Sequence, residues 1–430
     1  MESVSSSQDR TPGIKRIEKH TFRLHLISQI LNGFAFGTFI LQDVILKKSL
    51  GGSDLQVTVL IFLTSAAFLF SIYGPEIINR APNRPRMILA IGFASKFFLF
   101  IIPLFETPNY FIFCLAMMAI IDSMIKPVWN VVIKQNYTPE RRSSLYSYAS
   151  SFFTLALLIS TTSMGFLLDI NYEVYKIFFP LAGVADMIAF YNLSKLIKND
   201  DKEPGERTRL VFRFSLRLIK DIIILPIRNM MRIFSVNRPF LRFEIYFFLY
   251  GMAFMMIAAV LPIYLVDDLA LDYTPISLAR GLMVHSAIVA FTPLMGKLMG
   301  PGDPGRFTGI SFISLVLFPF LLMALKYFHF TWIGTDILLY AAFFIFGISM
   351  SGVTLSWNLG SIYYAPHAEV SNYQAVHITL TGLRGILSPF LGYLLLKLVS
   401  MEAAFIAAAM LFLSGGVLML GKSRKTKKNS

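Results

Sequence analysis

Cysteine occurs once in 430 residues, at Cys114, so the chain can form no internal disulfide and has no thiolate set to hold zinc. Charge is also scarce. Asp, Glu, Lys and Arg make up 15% of the sequence, where a soluble domain carries roughly 25%. Neither a His-Glu-x-x-His run nor a Gly-x-Ser-x-Gly elbow is present, which removes two common hydrolytic chemistries. No enzyme, cofactor or metal is expected. What is abundant is apolar: 55% hydrophobic residues, 41 Phe, 20 Met and a mean hydropathy of +0.63. Most of this chain is expected to lie in lipid, with Phe and Met as core or acyl-chain contacts.

The first 20 residues are polar and carry Arg10, Lys15, Arg16 and Lys19. No short apolar segment with a small-residue cleavage site follows, so the first span is expected to act as an uncleaved membrane signal. Runs long enough to cross a bilayer fall at about 22–46, 55–78, 87–105, 109–134, 144–168, 174–195, 239–266, 275–298, 307–327, 335–361, 374–398 and 401–420. Backbone in hydrocarbon must satisfy itself, so these twelve are expected to be helices. The fold class is therefore an all-α membrane protein.

The net charge of +14 is distributed between these runs, which points to topology and away from nucleic acid. One set of loops holds Arg80, Arg84, Arg86, Arg141, Arg142, the basic cluster from Lys198 to Arg238, Lys297, Arg306 and the tail from Lys422 to Lys428. The other holds Asp169, Glu173, Asp267, Asp268 and Asp272, with Lys47 and Lys48 as exceptions. The first set is expected to be cytoplasmic, with both termini. This divides the chain into a cytoplasmic tail at 1–21, a six-helix bundle at 22–195, a linker at 196–238, a second bundle at 239–420 and a basic tail at 421–430. Arg213, Arg217 and Lys220 recur at helical spacing among bulky apolar residues in the linker, the pattern of an amphipathic helix on the inner leaflet.

The chain also repeats itself. "VWNVVIKQNYTPE" (128–140) is similar to "SWNLGSIYYAPHAE" (356–369), with Trp129-Asn130 matching Trp357-Asn358. Tyr146 then falls on Tyr373 and Gly165 on Gly392; earlier, Ser65 and Arg86 fall near Ser286 and Arg306. Two parallel six-helix halves follow. With twelve spans, six plus six, and a long central loop, the sequence resembles the major facilitator superfamily over nearly its whole length. After the second span, "GPEIINRAPNRPR" is similar to that family's loop motif through Gly74, Asn79, Arg80, Arg84 and Arg86, with Asn79 where Asp is usual. The resemblance implies two pseudo-symmetric bundles, a central cavity and a rocking, alternating-access transporter acting as a monomer in the cell membrane. Two spellings are decoys. Gly416 to Ser423 copies a P-loop and 300–305 a dinucleotide loop, but neither sits between a strand and a helix.

Charges inside spans are the best pointers to mechanism, because each costs about 2.5–3.5 kcal/mol at a helix centre on insertion scales. Arg384 lies about 15 Å into the eleventh span, flanked by Gly382 and Gly385, with Pro389 as a kink candidate. It is expected either to face the cavity, holding an anion or a carboxylate, or to form a fixed ion pair. Asp122 and Lys126 stand one turn apart and either neutralise each other or carry a proton. Asp43, near the outer end of the first span, either reaches water or serves in coupling or gating. Arg242 and Glu244 read as interface anchors. His285 and His377 titrate near neutral pH when unperturbed and are further candidates. Lys96 ranks below them, because its helix is peripheral in the family. Trp129, Asn130, Trp357 and Asn358 are symmetry-paired gate candidates. The expected function is secondary transport of a small solute, anionic if Arg384 anchors it and proton-driven if the carboxylates titrate. The alternatives are a drug or lipid exporter, or a non-transporting sensor or assembly protein on this scaffold.

Overall fold

The computed structural model describes residues 12–72, 77–78, 81–125, 132–133, 136–197, 227–299, 304–327, 332–366 and 370–426. Of the sequence candidates, Gly74, Asn79, Arg80, Lys126, Trp129 and Asn130 lie outside these residues, as do Arg213, Arg217 and Lys220. Among the described residues there is no strand.

The helices in chain order are α1 (Pro12–Phe39), α2 (Gln42–Lys48), α3 (Asp54–Ala66), α4 (Arg84–Ile101), α5 (Pro108–Ser123), α6 (Pro139–Ile170) and α7 (Tyr175–Leu196). They continue as α8 (Arg238–Ile263), α9 (Tyr273–Ser277), α10 (Val284–Met299), α11 (Pro304–Ser314), α12 (Leu317–Tyr327), α13 (Trp332–Tyr364), α14 (Val370–Leu398) and α15 (Met401–Thr426). Eleven helical stretches among the described residues are long and apolar enough to cross a membrane, and α5 is a shorter apolar helix in the place of the fourth span. Proline stands in the first turn of α4, α5, α6 and α8, where its missing N–H leaves no bond unmade. A capping box of Ser53 and Gln56 starts α3. The expected first span is two helices, α1 and α2, and α14 continues through Pro389, as the expected span 374–398 does.

The two halves pack by one scheme. In the first, α1 lies against α6 and α7, α4 against α5 and α7, and α3 against α5. In the second, α8 lies against α14 and α15, α11 against α13 and α15, and α10 against α13. The halves meet along two seams, α3 with α14 and α6 with α9 and α10, which the same correspondence exchanges. This is the twelve-helix, two-bundle architecture read from the repeat.

Close approach within a half depends on glycine. A Cβ on Gly33 would lie within 3.0 Å of the Phe153 backbone on α6, and one on Gly37 would crowd the Leu157 carbonyl one turn on. Small residues four apart let two backbones touch, which in lipid replaces the hydrophobic drive that water supplies. Gly33→Ala is therefore expected to part α1 from α6 and lower the melting temperature in detergent. Gly296→Ala, where the added carbon meets nothing within 4 Å, is expected to leave it unchanged or slightly raised, since Ala is the better helix former by about 1 kcal/mol.

Candidate functional site

Three polar clusters stand inside the apolar body. The first joins the halves at the end opposite the linker. Asp43, buried at 2% exposure on α2, accepts two hydrogen bonds from Arg280, at 2.7 and 2.9 Å. Lys47 bridges Asp54 and Asp267, each at 2.7 Å, and Lys397 reaches the other oxygen of Asp54 at 2.6 Å. Lys48 pairs with Asp272 at 2.8 Å and donates to the Leu271 carbonyl. Asp169 accepts from the backbone N–H groups of Tyr273 and Thr274 at 2.7 and 2.8 Å. Among the described residues, every ion pair between the halves lies at this end. Lys47 and Lys48, exceptions to the charge pattern of these loops, are thus neutralised by acids of the opposite half.

Two π-helical turns place the second half's share of this closure. Tyr264–Asp268 carries Asp267 at the end of α8, and Leu278–Met283 carries Arg280 at the start of α10. Such turns insert a residue, shift the helical register and recur at functional sites. Between them Ala270 has φ +48°, a left-handed conformation that costs a residue with a Cβ roughly 1–2 kcal/mol.

The second cluster lies within the second half. α14 shows three faces. Leu383, Leu387, Leu391 and Leu394 are exposed on the flank. Gly382 and Gly385 fit against Leu69 and Ser65 across the α3 seam. His377, Thr381, Arg384 and Ser388 are buried, at i, i+4, i+7 and i+11 on one stripe. On that stripe His377 Nδ1 lies 3.0 Å from both carboxylate oxygens of Glu244 on α8. Arg384, 4% exposed, donates to the Phe247 carbonyl at 3.1 Å and to Thr381 Oγ1 at 2.8 Å. Its guanidinium stands 5.5 Å from the Phe247 ring centroid and 6.0 Å from that of Tyr250, within cation–π reach. Trp357 Nε1 points at the same Thr381 hydroxyl from 3.5 Å, at the outer limit of a hydrogen bond. Among the described residues no carboxylate pairs with Arg384, and its Nε and the His377 Nε2 have no partner.

The third cluster lies within the first half. Lys96, 2% exposed on α4, bridges Asp122 on α5 and Asp186 on α7, each at 2.9 Å. Phe39 and Phe190 present their rings to the same ammonium.

Several sequence expectations change here. Asp43 does not reach water; it is sealed in a bidentate pair with Arg280, which sequence reasoning passes over. Glu244 is no interface anchor, because α8 turns it inward onto His377, while Arg242 on the next face is exposed. Lys96 is not marginal: it is the hub of a buried triad whose third member, Asp186, is likewise missed from sequence. Asp122 is engaged by Lys96 from another helix. His285 bonds the Gly281 carbonyl one turn back at 3.1 Å, as a structural histidine does. Of the gate candidates, Trp357 reaches toward the Arg384 stripe, and Asn358 is exposed and bonds the Thr354 carbonyl. Asn83 caps α4 by accepting from the Arg86 N–H, so Arg84 and Arg86 open that helix. Among the described residues no group of three or more His, Cys, Asp or Glu could hold a metal ion.

Residues 26–383 match the sequence model of the Major Facilitator Superfamily. No curated protein matches the chain. Among solved structures, the chain is similar to a POT family transporter in complex with 5-aminolevulinic acid, with a TM-score of 0.71 and 14% identity over 94% of this chain and 96% of that one. It is also similar to the human organic anion transporter MFSD10 (TETRAN), at 0.63 and 13% over 94% and 99%. For the nucleoside transporter NupG the values are 0.67 and 10% over 93% and 99%. These likenesses establish the fold.

Breaking a buried ion pair from one side costs about 3–5 kcal/mol. Asp43→Asn is therefore expected to loosen the closed end. With Cys114, the one native thiol and a buried one, changed to Ala, a reporter cysteine at Ser277 can be placed in the α6 seam, where Ser277 is fully buried. Its labelling by a membrane-impermeant maleimide should rise about tenfold or more when Asp43→Asn is added.

Proposed function

The chain belongs to the Major Facilitator Superfamily and is an integral, multi-pass membrane transporter, and from that premise we propose that it moves a small anionic solute by alternating access, with Arg384 as the anchor. The observation that carries this reading is Arg384 itself. Asp43, Lys96 and Asp186 each sit beside an opposite charge and Glu244 lies against the His377 ring, whereas this guanidinium is held by a carbonyl, a hydroxyl and two rings. A guanidinium presents five donors in a fork that fits carboxylate or phosphate, and an ionised acceptor forms hydrogen bonds roughly twice as strong as a neutral one. An anionic solute can therefore win Arg384 from its present partners.

The loops rich in Lys and Arg face the cytoplasm in this reading, by the positive-inside rule, which puts both termini and the linker inside. The interhalf closure of Asp43, Lys47, Lys48, Asp54, Lys397 and Arg280 is then the outer gate, and the conformation is inward-facing. Proton coupling belongs to the Glu244–His377 pair, two turns along α14 from Arg384 and linked to it through Thr381, whose hydroxyl donates to the His377 carbonyl and accepts from Arg384. The solved relatives carry cargoes as different as nucleosides and peptides, so cargo follows from side chains and not from architecture.

Purified protein in proteoliposomes tests the reading. Uptake of small anions found by a thermal-shift screen should fall about tenfold or more in Arg384→Gln, a loss of one charge-assisted contact, with Arg384→Lys retaining part of it. Uptake of lipophilic cations that survives in Arg384→Gln would replace the anionic reading with drug export. Anion uptake should also respond to an imposed pH gradient and lose that response in Glu244→Gln; indifference of the parent protein to the gradient would remove the coupling.

A further inference from the structure

We propose that Gly251 is a positioning residue: the side chain it lacks makes a berth on α8 that holds the Arg384 guanidinium, and the berth sets how readily that group is given up to an anion. The second half of this statement rests on Arg384 being the anion anchor.

The berth is built from one face of α8. Phe247, Tyr250 and Gly251 stand at i, i+3 and i+4. Phe247 supplies its carbonyl and its ring, and Tyr250 a second ring. At Gly251 a Cβ would come closer than 3.0 Å to Cδ, Nε and Nη1 of Arg384. The three nearest neighbours of a Cβ at Gly251 are all atoms of one charged side chain. The contrast with other helical glycines is physical. At Gly33 or Gly392 an added carbon meets backbone, so a helix must move. At Gly251 it meets the far end of a flexible side chain, so the guanidinium moves and the helix stays. Glycine in the middle of a helix is otherwise unfavourable by roughly 0.5–1 kcal/mol against alanine, which gives this position a reason to be something else unless the space is used.

The berth holds its occupant moderately. Nη1 and Nη2 are bonded, and Nε is pressed against Gly251 without a partner among the described residues. The nearby carboxylate of Glu244 faces His377. An anion must therefore compete with the berth, and apparent affinity falls with the fraction of time Arg384 spends released. Shortening the berth should raise that fraction, tightening anion binding, and should slow turnover because release of the anion loses its competitor.

The experiment uses the full chain in detergent. Arginine modification by phenylglyoxal is followed by mass spectrometry at Arg384, with the exposed Arg141 as internal reference. Benzoate serves as the anion probe in thermal-shift titrations. Gly251→Ala and Phe247→Leu are compared with the parent; the second loosens the berth without adding an atom at 251, so the test survives if the first fails to fold. The expected result is a modification rate at Arg384 raised about fivefold or more in both variants, Arg141 unchanged, and a benzoate half-saturation lowered about threefold in Gly251→Ala. Equal reactivity of Arg384 in the parent and in both variants overturns the berth and leaves the transport reading as it stood. Raised reactivity, with benzoate titrations that do not differ between parent and variants, also overturns the proposal, since the berth would then set no affinity. Anion uptake undiminished in Arg384→Gln is the separate sign that the anchor itself was misassigned.

Discussion

A charge placed in hydrocarbon has to meet, inside the protein, the opposite charge or the dipoles that water would have supplied. The fold of this chain can be understood as the set of helix contacts that satisfy that demand. Lys96 ties α4, α5 and α7 together because two aspartates from different helices must converge on it. His377 and Glu244 fix the rotation of α14 against α8 in the same way. Asp43 and Arg280 extend the rule across the boundary between halves, where such a bond can be present in one conformation and absent in another. Arg384 is the exception, satisfied by dipoles and aromatic faces, and function is assigned to it for that reason.

The duplication explains the architecture but not the chemistry. Equivalent helices pack on equivalent helices throughout, yet the charges do not repeat. At the offset that aligns Tyr146 with Tyr373, Arg384 falls on Leu157, whose neighbourhood on α1 is a plain glycine contact. The Lys96 triad has no counterpart among the described residues of the second half: Lys326 on α12, which pairs with Glu402 and Asp268, lies at the end opposite the linker and is half-exposed. One packing scheme thus holds a charge-paired polar centre in one bundle and, in the other, a buried guanidinium held by dipoles and rings.

The sequence was most legible where the signal was local and strong. Span number, the repeat and the isolation of Arg384 in an apolar run all follow from short-range patterning. What it could not supply was partnership. Arg280 is 237 residues from Asp43 and Glu244 is 133 from His377, and no periodicity connects them. A sequence shows that a charge needs compensation without showing what compensates it, so Lys96 is ranked too low by the peripheral place of its helix in the family and Glu244 by its closeness to a span end. Asp186 sits in "LAGVADMIAF", an apolar run that raises the same question as Arg384. The π-turns were illegible for another reason: an inserted residue leaves composition and hydropathy unchanged, so nothing in the sequence marks the turn that carries Arg280.

The glycine contacts carry a mechanical consequence. Where Gly33 and Gly37 let α1 rest on the carbonyls of α6, the two helices are locked backbone to backbone, and sliding one along the other would drive a carbonyl into the neighbouring side chains. In the α3–α14 seam the first atoms met at Gly382 and Gly385 are instead side-chain carbons of Leu69 and Ser65, with backbone behind them. Displacement along the α1–α6 line would therefore meet backbone at once, so these two helices are expected to travel as one rigid piece in any rearrangement of the halves.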